Sequence, residues 1–189
     1  SRDIDNQSHG GNMLRKKVLP ILLTGLMLVG FSSSAFAEFF SASIGTPLSY
    51  SFTGGDDLEA DGRPTGHLAH LKLPILMGIG IEQYTTKIKN DADVKLESTV
   101  YDLFYLFPIP IINVTAGVGY GSNQLKIDGD AGFYKKGHIF QYYVQVGIPI
   151  FPMTDLHVSH HTINSKVESE TTGNKLDVGG NLTAIGISV

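Results

Sequence analysis

The feature that most constrains this chain is a two-residue alternation of side-chain polarity that covers most of it from residue 39 onward. Successive side chains of a β-strand point to opposite faces, so this period predicts strands rather than helices. Segment 112–121 shows it clearly: Ile112, Val114, Ala116, Val118 and Tyr120 form an apolar set, while Asn113, Thr115, Gly117, Gly119 and Gly121 form a small or polar set. We therefore expect an all-β fold.

The alternating runs lie between turn signals and predict eight strands near 39–53, 65–73, 75–89, 95–106, 111–127, 137–148, 154–169 and 175–189. Short connections that contain proline alternate along the chain with long acidic ones. An antiparallel up-and-down arrangement would gather the short turns at one end and the long loops at the other. Proline fits the short turns because a missing N–H costs least at a strand boundary. The last strand changes phase, which predicts a β-bulge near residue 184.

The composition of the two faces indicates which medium each one meets. The polar face is rich in Gly, Ser, Asn, Thr and Gln, whereas a soluble surface would carry more Lys and Glu. The strands reach the length of about 9–11 residues that a tilted strand needs to cross a membrane. Aromatic residues near the strand ends suggest interfacial girdles. We assign Phe39, Phe40, Phe107 and Phe151 to the tight-turn girdle, and Tyr50, Phe52, Tyr120 and Tyr134 to the long-loop girdle.

These patterns predict an eight-stranded antiparallel up-and-down transmembrane β-barrel with an apolar outer band and a polar lumen. The alternative is a soluble, lipocalin-like barrel in which the two faces are reversed. The absence of cysteine excludes disulfides, cysteine metal ligands and a thiol nucleophile. A net charge of −4 without a basic cluster beyond the N-terminal region argues against nucleic acid as a partner.

The N-terminal region has the pattern of a secretory signal peptide. Basic residues 15–17 follow Met13, an apolar stretch occupies 18–31, and Ala35 and Ala37 match the small-residue cleavage pattern. The apolar stretch is shorter than the roughly 20 residues of a spanning helix. The predicted organisation is an upstream extension at 1–12, a signal peptide at 13–37 that is cleaved after Ala37, and a barrel at 38–189.

The signal peptide, the eight alternating strands, the short turns opposite long loops and the segment "VTAGVGYG" at 114–121 resemble the small outer-membrane β-barrels of Gram-negative bacteria, the family that includes the OmpA transmembrane domain and OmpX. The resemblance implies a monomeric barrel in the bacterial outer membrane. It also implies contact with membrane lipid and lipopolysaccharide, and insertion by the outer-membrane assembly machinery. No residue pattern identifies a surface partner.

The phase of the strands points a set of polar side chains into the lumen. Eight strands enclose a space that side chains largely fill, and opposite charges inside it are expected to pair. We therefore expect a polar plug rather than a wide pore, with a narrow channel for small solutes or hydrophobic ligands as an alternative. The predicted lumen set is His70, Lys72, Glu82, Asp102, Gln141, Gln145, Asp155, His157, Ser159 and His161.

A second alternative is hydrolysis of lipid. Histidine, serine and an acid on one face can activate a serine hydroxyl, and His157, Ser159 and Asp155 have this composition. The His-x-Ser arrangement resembles the outer-membrane lipid A deacylases, whose catalytic face looks outward to lipid. Here the phase points the three residues inward, so we expect no enzymatic activity. Residues His70, His157 and His161 lack the tight spacing of a metal site, so neither a metal nor a cofactor is expected.

The long loops carry acids in closely spaced pairs. Acids at i and i+2 lie on one face of an extended chain, where they can contact divalent cations that bridge lipopolysaccharide phosphates. Ordinary solvated loop charge is the alternative. The i and i+2 pairs are Asp91 and Asp93, Asp128 and Asp130, and Glu168 and Glu170, and the first long loop carries the adjacent acids Asp56 and Asp57 followed by Glu59 and Asp61. The sequence thus favours a structural or surface-interaction role in the outer membrane.

Overall fold

The computed structural model describes residues 40–54, 58–90, 92–107, 109 and 112–189. Several predictions fall outside these residues: the upstream extension, the signal peptide and its cleavage site, Phe39, and the loop acids Asp56, Asp57 and Asp91. The strands are β1 (Ser41–Phe52), β2 (Thr65–Lys72), β3 (Met77–Ile88), β4 (Val94–Phe107), β5 (Asn113–Ile127), β6 (Gly137–Phe151), β7 (Thr154–Glu168), β8 (Lys175–Asp177) and β9 (Gly180–Ser188). In the described part of the chain, no helix is long and apolar enough to cross a membrane.

The strands form one closed antiparallel barrel. Consecutive strands pair from β1 to β7, and β9 pairs with both β7 and β1, which closes the sheet. The short strand β8 extends the pairing along β7, so β8 and β9 together occupy the eighth position of the barrel. The prediction of an eight-stranded up-and-down barrel is confirmed, and the last predicted strand is interrupted at residues 178 and 179.

The stagger between strands determines how wide the barrel is. Paired residues can be followed from Phe140 in β6 around the barrel, and the path returns to β6 at Ile148, which is 148 − 140 = 8 residues further along. The intermediate residues are Tyr120, Tyr101, Ile81, Ala69, Ile44, Ile187 and Leu156. Eight strands with a stagger of eight tilt by roughly 36° and enclose an interior that side chains fill.

Two prolines sit at irregularities inside strands. The register shifts between Pro47 and Ser49 in β1 and between Pro149 and Phe151 in β6. Proline cannot donate a ladder hydrogen bond, so a β-bulge is one of the few places in a sheet that accepts it. The bulge in β1 lies opposite Ala184, where the sequence predicted a bulge in the last strand. That prediction is wrong about the strand, because β9 keeps a continuous register with β7.

The bulge in β1 changes the direction of the residues that follow it. Tyr50 is 6% exposed and its hydroxyl donates a hydrogen bond to the Val178 carbonyl oxygen at 2.8 Å, while Phe52 packs against the same buried cluster. The assignment of Tyr50 and Phe52 to the long-loop girdle is therefore wrong. Tyr134 also packs against buried residues rather than standing on the outer face. Phe40, Phe107, Phe151 and Tyr120 are exposed, as predicted.

The polarity of the two faces inverts along the strands. In β4 the outward residues Tyr101, Leu103, Tyr105 and Phe107 are apolar or aromatic, whereas Lys95, Glu97 and Thr99 occupy the outward positions nearer the long loops. The inward residues change in the opposite sense, from Asp102 to Leu96 and Val94. The expectation of a polar lumen therefore holds only for the half near the tight turns. Where the outer face is polar, the interior must supply the apolar core.

Two apolar layers fill the rest of the interior. The middle layer consists of Tyr50, Tyr84, Val100, Ile139, Ile163 and Leu182. The loop-end core consists of Ile88, Val94, Leu96, Leu125, Val167 and Val178, and loop residues such as Leu58 and Tyr134 pack against it. Burying these side chains excludes water from this half of the barrel and stabilises it by roughly 1.5–3 kcal/mol for each large aliphatic residue.

Glycines on the inward face give space to larger polar neighbours. A Cβ atom on Gly119 would lie 2.2 Å from Asp102 Oδ1, and one on Gly80 would lie 2.2 Å from His70 Cδ2. Real Cβ atoms do not approach other atoms this closely, so both positions require glycine as long as the neighbour keeps its place. The small residues of the alternation thus make room for a side-chain network and do not line an open channel.

We expect Gly119→Ala to destabilise the barrel by roughly 1–3 kcal/mol through overpacking. Unfolding in urea, measured on detergent-solubilised protein, checks this. Gly147→Ala is the matched control, because Gly147 also faces inward and its added Cβ would meet its nearest neighbour at 3.4 Å, an ordinary contact. Equal losses in the two variants would contradict the steric explanation.

Candidate functional site

The turn-end half of the lumen contains a buried polar network contributed by five strands. Its centre is Gln141 on β6, whose Nε2 donates one hydrogen bond to Glu82 Oε2 at 3.0 Å and another to Asp102 Oδ1 at 2.8 Å. Both carboxylate side chains are fully buried. Buried carboxylates require such donors because they have lost their contact with water. Gln141 therefore holds one oxygen of each carboxylate and leaves the other oxygen free.

His70 faces these two free oxygens. Its Nε2 lies 3.6 Å from Glu82 Oε1 and 3.7 Å from Asp102 Oδ2, and its Nδ1 lies 3.5 Å from Ser43 Oγ. The ring packs edge-on against Phe104, with ring centroids 5.7 Å apart. Adjacent strands β2, β3 and β4 bring the imidazole and both carboxylates together, since Gly80 pairs with both His70 and Asp102.

His161 approaches Glu82 from the opposite strand. Its Nδ1 lies 3.4 Å from Glu82 Oε1 and its Nε2 lies 2.8 Å from Ser159 Oγ. The ring stacks on Tyr143 with centroids 4.6 Å apart and an angle of 17° between the planes. Tyr143 also lies against His70, so one aromatic ring separates the two histidines.

Ser159, His161 and Glu82 thus lie in the order serine, histidine and carboxylate. This is the order that activates a serine for nucleophilic attack. Ser159 is 3% exposed, and His161 and Glu82 are fully buried, so neither solvent nor lipid reaches this hydroxyl. The trio predicted for the hydrolase alternative does not assemble. Asp155 instead accepts a hydrogen bond from Asn113 Nδ2, and neither ring nitrogen of His157 has a hydrogen-bond partner in the described structure. The residues nonetheless point inward, as the strand phase predicted.

Four predicted lumen residues lie outside the network: Asp155, His157, Lys72 and Gln145. Lys72 and Gln145 are half-buried on the inward face, and neither forms a side-chain hydrogen bond or ion pair with the described residues. Lys72 takes no part in the pairing of opposite charges that was expected in the lumen, because the buried carboxylates face histidine and glutamine instead. The network therefore brings together His70, Glu82, Asp102, Gln141, Ser159 and His161.

The predicted lumen set did not include Tyr143, which contacts His70 and His161, or Asn113, which donates a hydrogen bond to Asp155. Their alternation phase already placed them on the inward face. What the phase does not give is the contact partner, because this depends on the stagger between strands.

Three side chains in this network have the composition of a metal site. One ligand atom from each of His70, Glu82 and Asp102 lies within 4.8 Å of the other two. The sequence suggested a grouping of His70 with His157 and His161, whereas the fold joins His70 to the two carboxylates. Because the three ligands come from three strands, no short sequence spacing marks them.

The described loop acids have local partners. Asp93 pairs with Lys95 and Glu168 with Lys135, each at 2.5 Å. Asp128 accepts a hydrogen bond from the Asp93 N–H at 3.1 Å, and Asp130 accepts one from Gly132 at 2.8 Å. At another loop, the hydrogen bond from Lys89 lowers the pKa of the Glu59 carboxyl. Cation or lipopolysaccharide contact by the loop acids, Glu170 included, stays a prediction.

We expect Gln141→Leu to destabilise the barrel by roughly 3 kcal/mol, because it leaves two buried carboxylates without their amide donor. Gln145→Leu serves as the control, since Gln145 lies on the same face of β6 and its side chain forms no hydrogen bond with the described residues. Urea unfolding of the two variants in one detergent measures the difference. A similar loss in both would show that the network contributes little.

No family model and no curated protein sequence matches this chain. Solved structures do match its fold. Neisserial surface protein A aligns with a TM-score of 0.54 and 14% identity over 80% of this chain and 96% of its own. The outer membrane protein OprG of Pseudomonas aeruginosa aligns with a TM-score of 0.48 and 10% identity over 79% and 94%, respectively. The Yersinia pestis protein Ail aligns with a TM-score of 0.42 and 17% identity over 80% and 99%, respectively. The closed antiparallel barrel, with its likeness to Neisserial surface protein A, gives this chain the fold of the small eight-stranded outer-membrane β-barrels.

Proposed function

We propose that this protein is an integral barrel of the bacterial outer membrane with a structural or surface-interaction role and a lumen closed by its own side chains. The observation that carries the proposal is the apolar outer surface. Large apolar side chains stand exposed on the outer face, including Leu103, Val118, Val144, Ile148 and Ile187. Soluble monomers rarely expose a continuous apolar surface of this extent, whereas lipid requires one.

A row of aromatic residues marks the limit of this apolar surface on the side of the long loops. Tyr101, Tyr120 and Phe140 are neighbours on β4, β5 and β6, and they are 64%, 59% and 50% exposed. The next outward positions toward the long loops are Thr99, Ser122 and His138, which are polar. Aromatic girdles lie where hydrocarbon gives way to headgroups. We infer that the membrane surface lies at this row and that the loop-end core stands outside the membrane.

The filled interior supports a role other than transport. The loop-end core and the middle layer close one half of the lumen with apolar side chains, and the buried polar network occupies the other half. Function would then reside in the loops and the protruding ends of the strands, where this fold tolerates variation. The buried position of Ser159 supports a structural role for the Ser159–His161 pair and an absence of hydrolase activity.

A charge on the outer face tests the membrane assignment. We expect Val144→Arg to destabilise the barrel in phospholipid vesicles by about 2–4 kcal/mol, because Val144 would lie near the bilayer midplane. Asn164→Arg is the control: Asn164 is exposed on β7 beside Phe140, at the inferred membrane surface, where the expected loss is about 0–1 kcal/mol. A soluble barrel would tolerate both substitutions, and that result would overturn the proposal.

The proposed structural or surface-interaction role can be tested on the unaltered protein. We expect unboiled protein to migrate differently from boiled protein on a gel, to give no reproducible conductance in planar bilayers, and to leave the mass of co-purified lipid A unchanged. Ser159→Ala is expected to alter none of these readouts. Steady conductance would favour the channel, and a lipid A mass change that Ser159→Ala abolishes would favour the hydrolase.

A further inference from the structure

We propose that the lumen holds one divalent transition-metal ion, bound by His70 Nε2, Glu82 Oε1 and Asp102 Oδ2. The site lies on β2, β3 and β4 in the turn-end half of the barrel. It does not depend on the proposed role at the cell surface, because the ligands belong to the interior.

The spacing of the ligand atoms fits a metal ion. His70 Nε2 lies 3.6 Å from Glu82 Oε1 and 3.7 Å from Asp102 Oδ2. In a tetrahedral site with bond lengths of about 2.0–2.2 Å, neighbouring ligand atoms are about 3.3–3.6 Å apart. The observed distances are longer than most direct hydrogen bonds, which bring the heavy atoms to about 2.7–3.2 Å. The three atoms are thus too far apart for strong direct bonds and close enough to share an ion.

The three ligand atoms are among the buried polar atoms that lack hydrogen bonds in the described structure. His70 Nε2, Glu82 Oε1 and Asp102 Oδ2 are all buried and lack a hydrogen-bond partner in the described structure. Leaving buried polar atoms unsatisfied costs about 1–3 kcal/mol each, and more when the group is charged. All three lie within 4.8 Å of one another, so a single ion between them would satisfy all of them.

The opposite atom of each ligand is oriented by a second residue. Gln141 Nε2 donates to Glu82 Oε2 and Asp102 Oδ1, which turns Oε1 and Oδ2 toward His70. Ser43 Oγ lies 3.5 Å from His70 Nδ1, which leaves Nε2 for the ion. Metal sites in proteins have such outer partners, because they fix the ring and carboxylate orientations.

The charge of the two buried carboxylates is a further reason to propose a bound ion. When both are ionised, the two buried carboxylates carry two negative charges, and the cations that contact them in the described structure come only from histidine. One protonated imidazole neutralises half of this charge, whereas a divalent ion neutralises all of it. Buried charge without compensation is strongly unfavourable.

The ligand set indicates the class of ion. One imidazole and two carboxylates suit borderline metals such as zinc, manganese or ferrous iron better than calcium, which prefers oxygen ligands alone. His161 lies next to the site on β7. Its Nδ1 is buried, lacks a hydrogen-bond partner and lies 3.4 Å from Glu82 Oε1, which makes it the adjacent candidate for a fourth ligand.

The experiment uses tag-free protein in detergent that has been stripped with a chelator, loaded with Zn²⁺ or Co²⁺ and desalted. We expect one ion per chain by elemental analysis, a Co²⁺ absorption spectrum of low coordination number, and a higher unfolding temperature with metal than without it. His70→Gln is expected to weaken binding at least tenfold. His67→Gln is the matched control, because His67 is an exposed histidine on the same strand.

Uptake well below one ion per chain by the unaltered protein would overturn the proposal. So would stoichiometric binding that His67→Gln abolishes and His70→Gln leaves intact, since the ion would then lie on the outer face. If His70→Gln does not fold, Asp102→Asn replaces it, because this variant keeps the side-chain size and is also expected to lower Co²⁺ affinity. Unchanged affinity in Asp102→Asn would contradict the ligand assignment.

Discussion

Each strand of this barrel meets different surroundings at its two ends, and the rest of the structure depends on how the side chains accommodate that change. In β4 the outward residues pass from Lys95 and Glu97 to Leu103 and Phe107, while the inward residues pass from Val94 and Leu96 to Asp102. A strand has only two faces, so an apolar outer surface sends the polar residues inward, and a polar outer surface sends the apolar residues inward. Polar network, aromatic row and loop-end core are three consequences of this one constraint.

The stagger of the strands determines which inward side chains meet. With eight strands and a stagger of eight residues, the interior is narrow enough that side chains from opposite walls touch. Gln141 on β6 therefore reaches Glu82 on β3 and Asp102 on β4 across the lumen. Such contacts require small residues beside the large ones. Gly119 leaves space for Asp102, and Gly80 leaves space for His70. The hydrogen-bonded network occupies the part of the interior that lies near the tight turns.

The alternation of the sequence was sufficient to predict the strands and their inward residues. A shift of one residue would exchange the two faces of a strand, so the polarity pattern specifies which residues face inward. It failed where the backbone breaks the alternation: the extra residue after Pro47 turns Tyr50 inward, and the proline is the one local sign of this break. The contacts of the network were also beyond reach. His70 and His157 have the same phase, yet only His70 meets the carboxylates, since that depends on the register between strands far apart in sequence.

Glu82 would take part in both chemistries considered for the network, which are metal binding and the activation of Ser159. Its Oε1 faces His70 Nε2 on one side and His161 Nδ1 on the other, at 3.6 and 3.4 Å. A metal ion at this oxygen would either compete with His161 Nδ1 for Glu82 or take that nitrogen as its fourth ligand, and in both cases it would weaken any activation of Ser159 through that ring. Conversely, a proton shared between His161 and Glu82 would reduce the negative charge that attracts the ion. The same buried carboxylate therefore cannot serve both chemistries fully, and only a metal ion would also satisfy the buried atoms of His70 and Asp102, which a proton shared with His161 would leave without a partner.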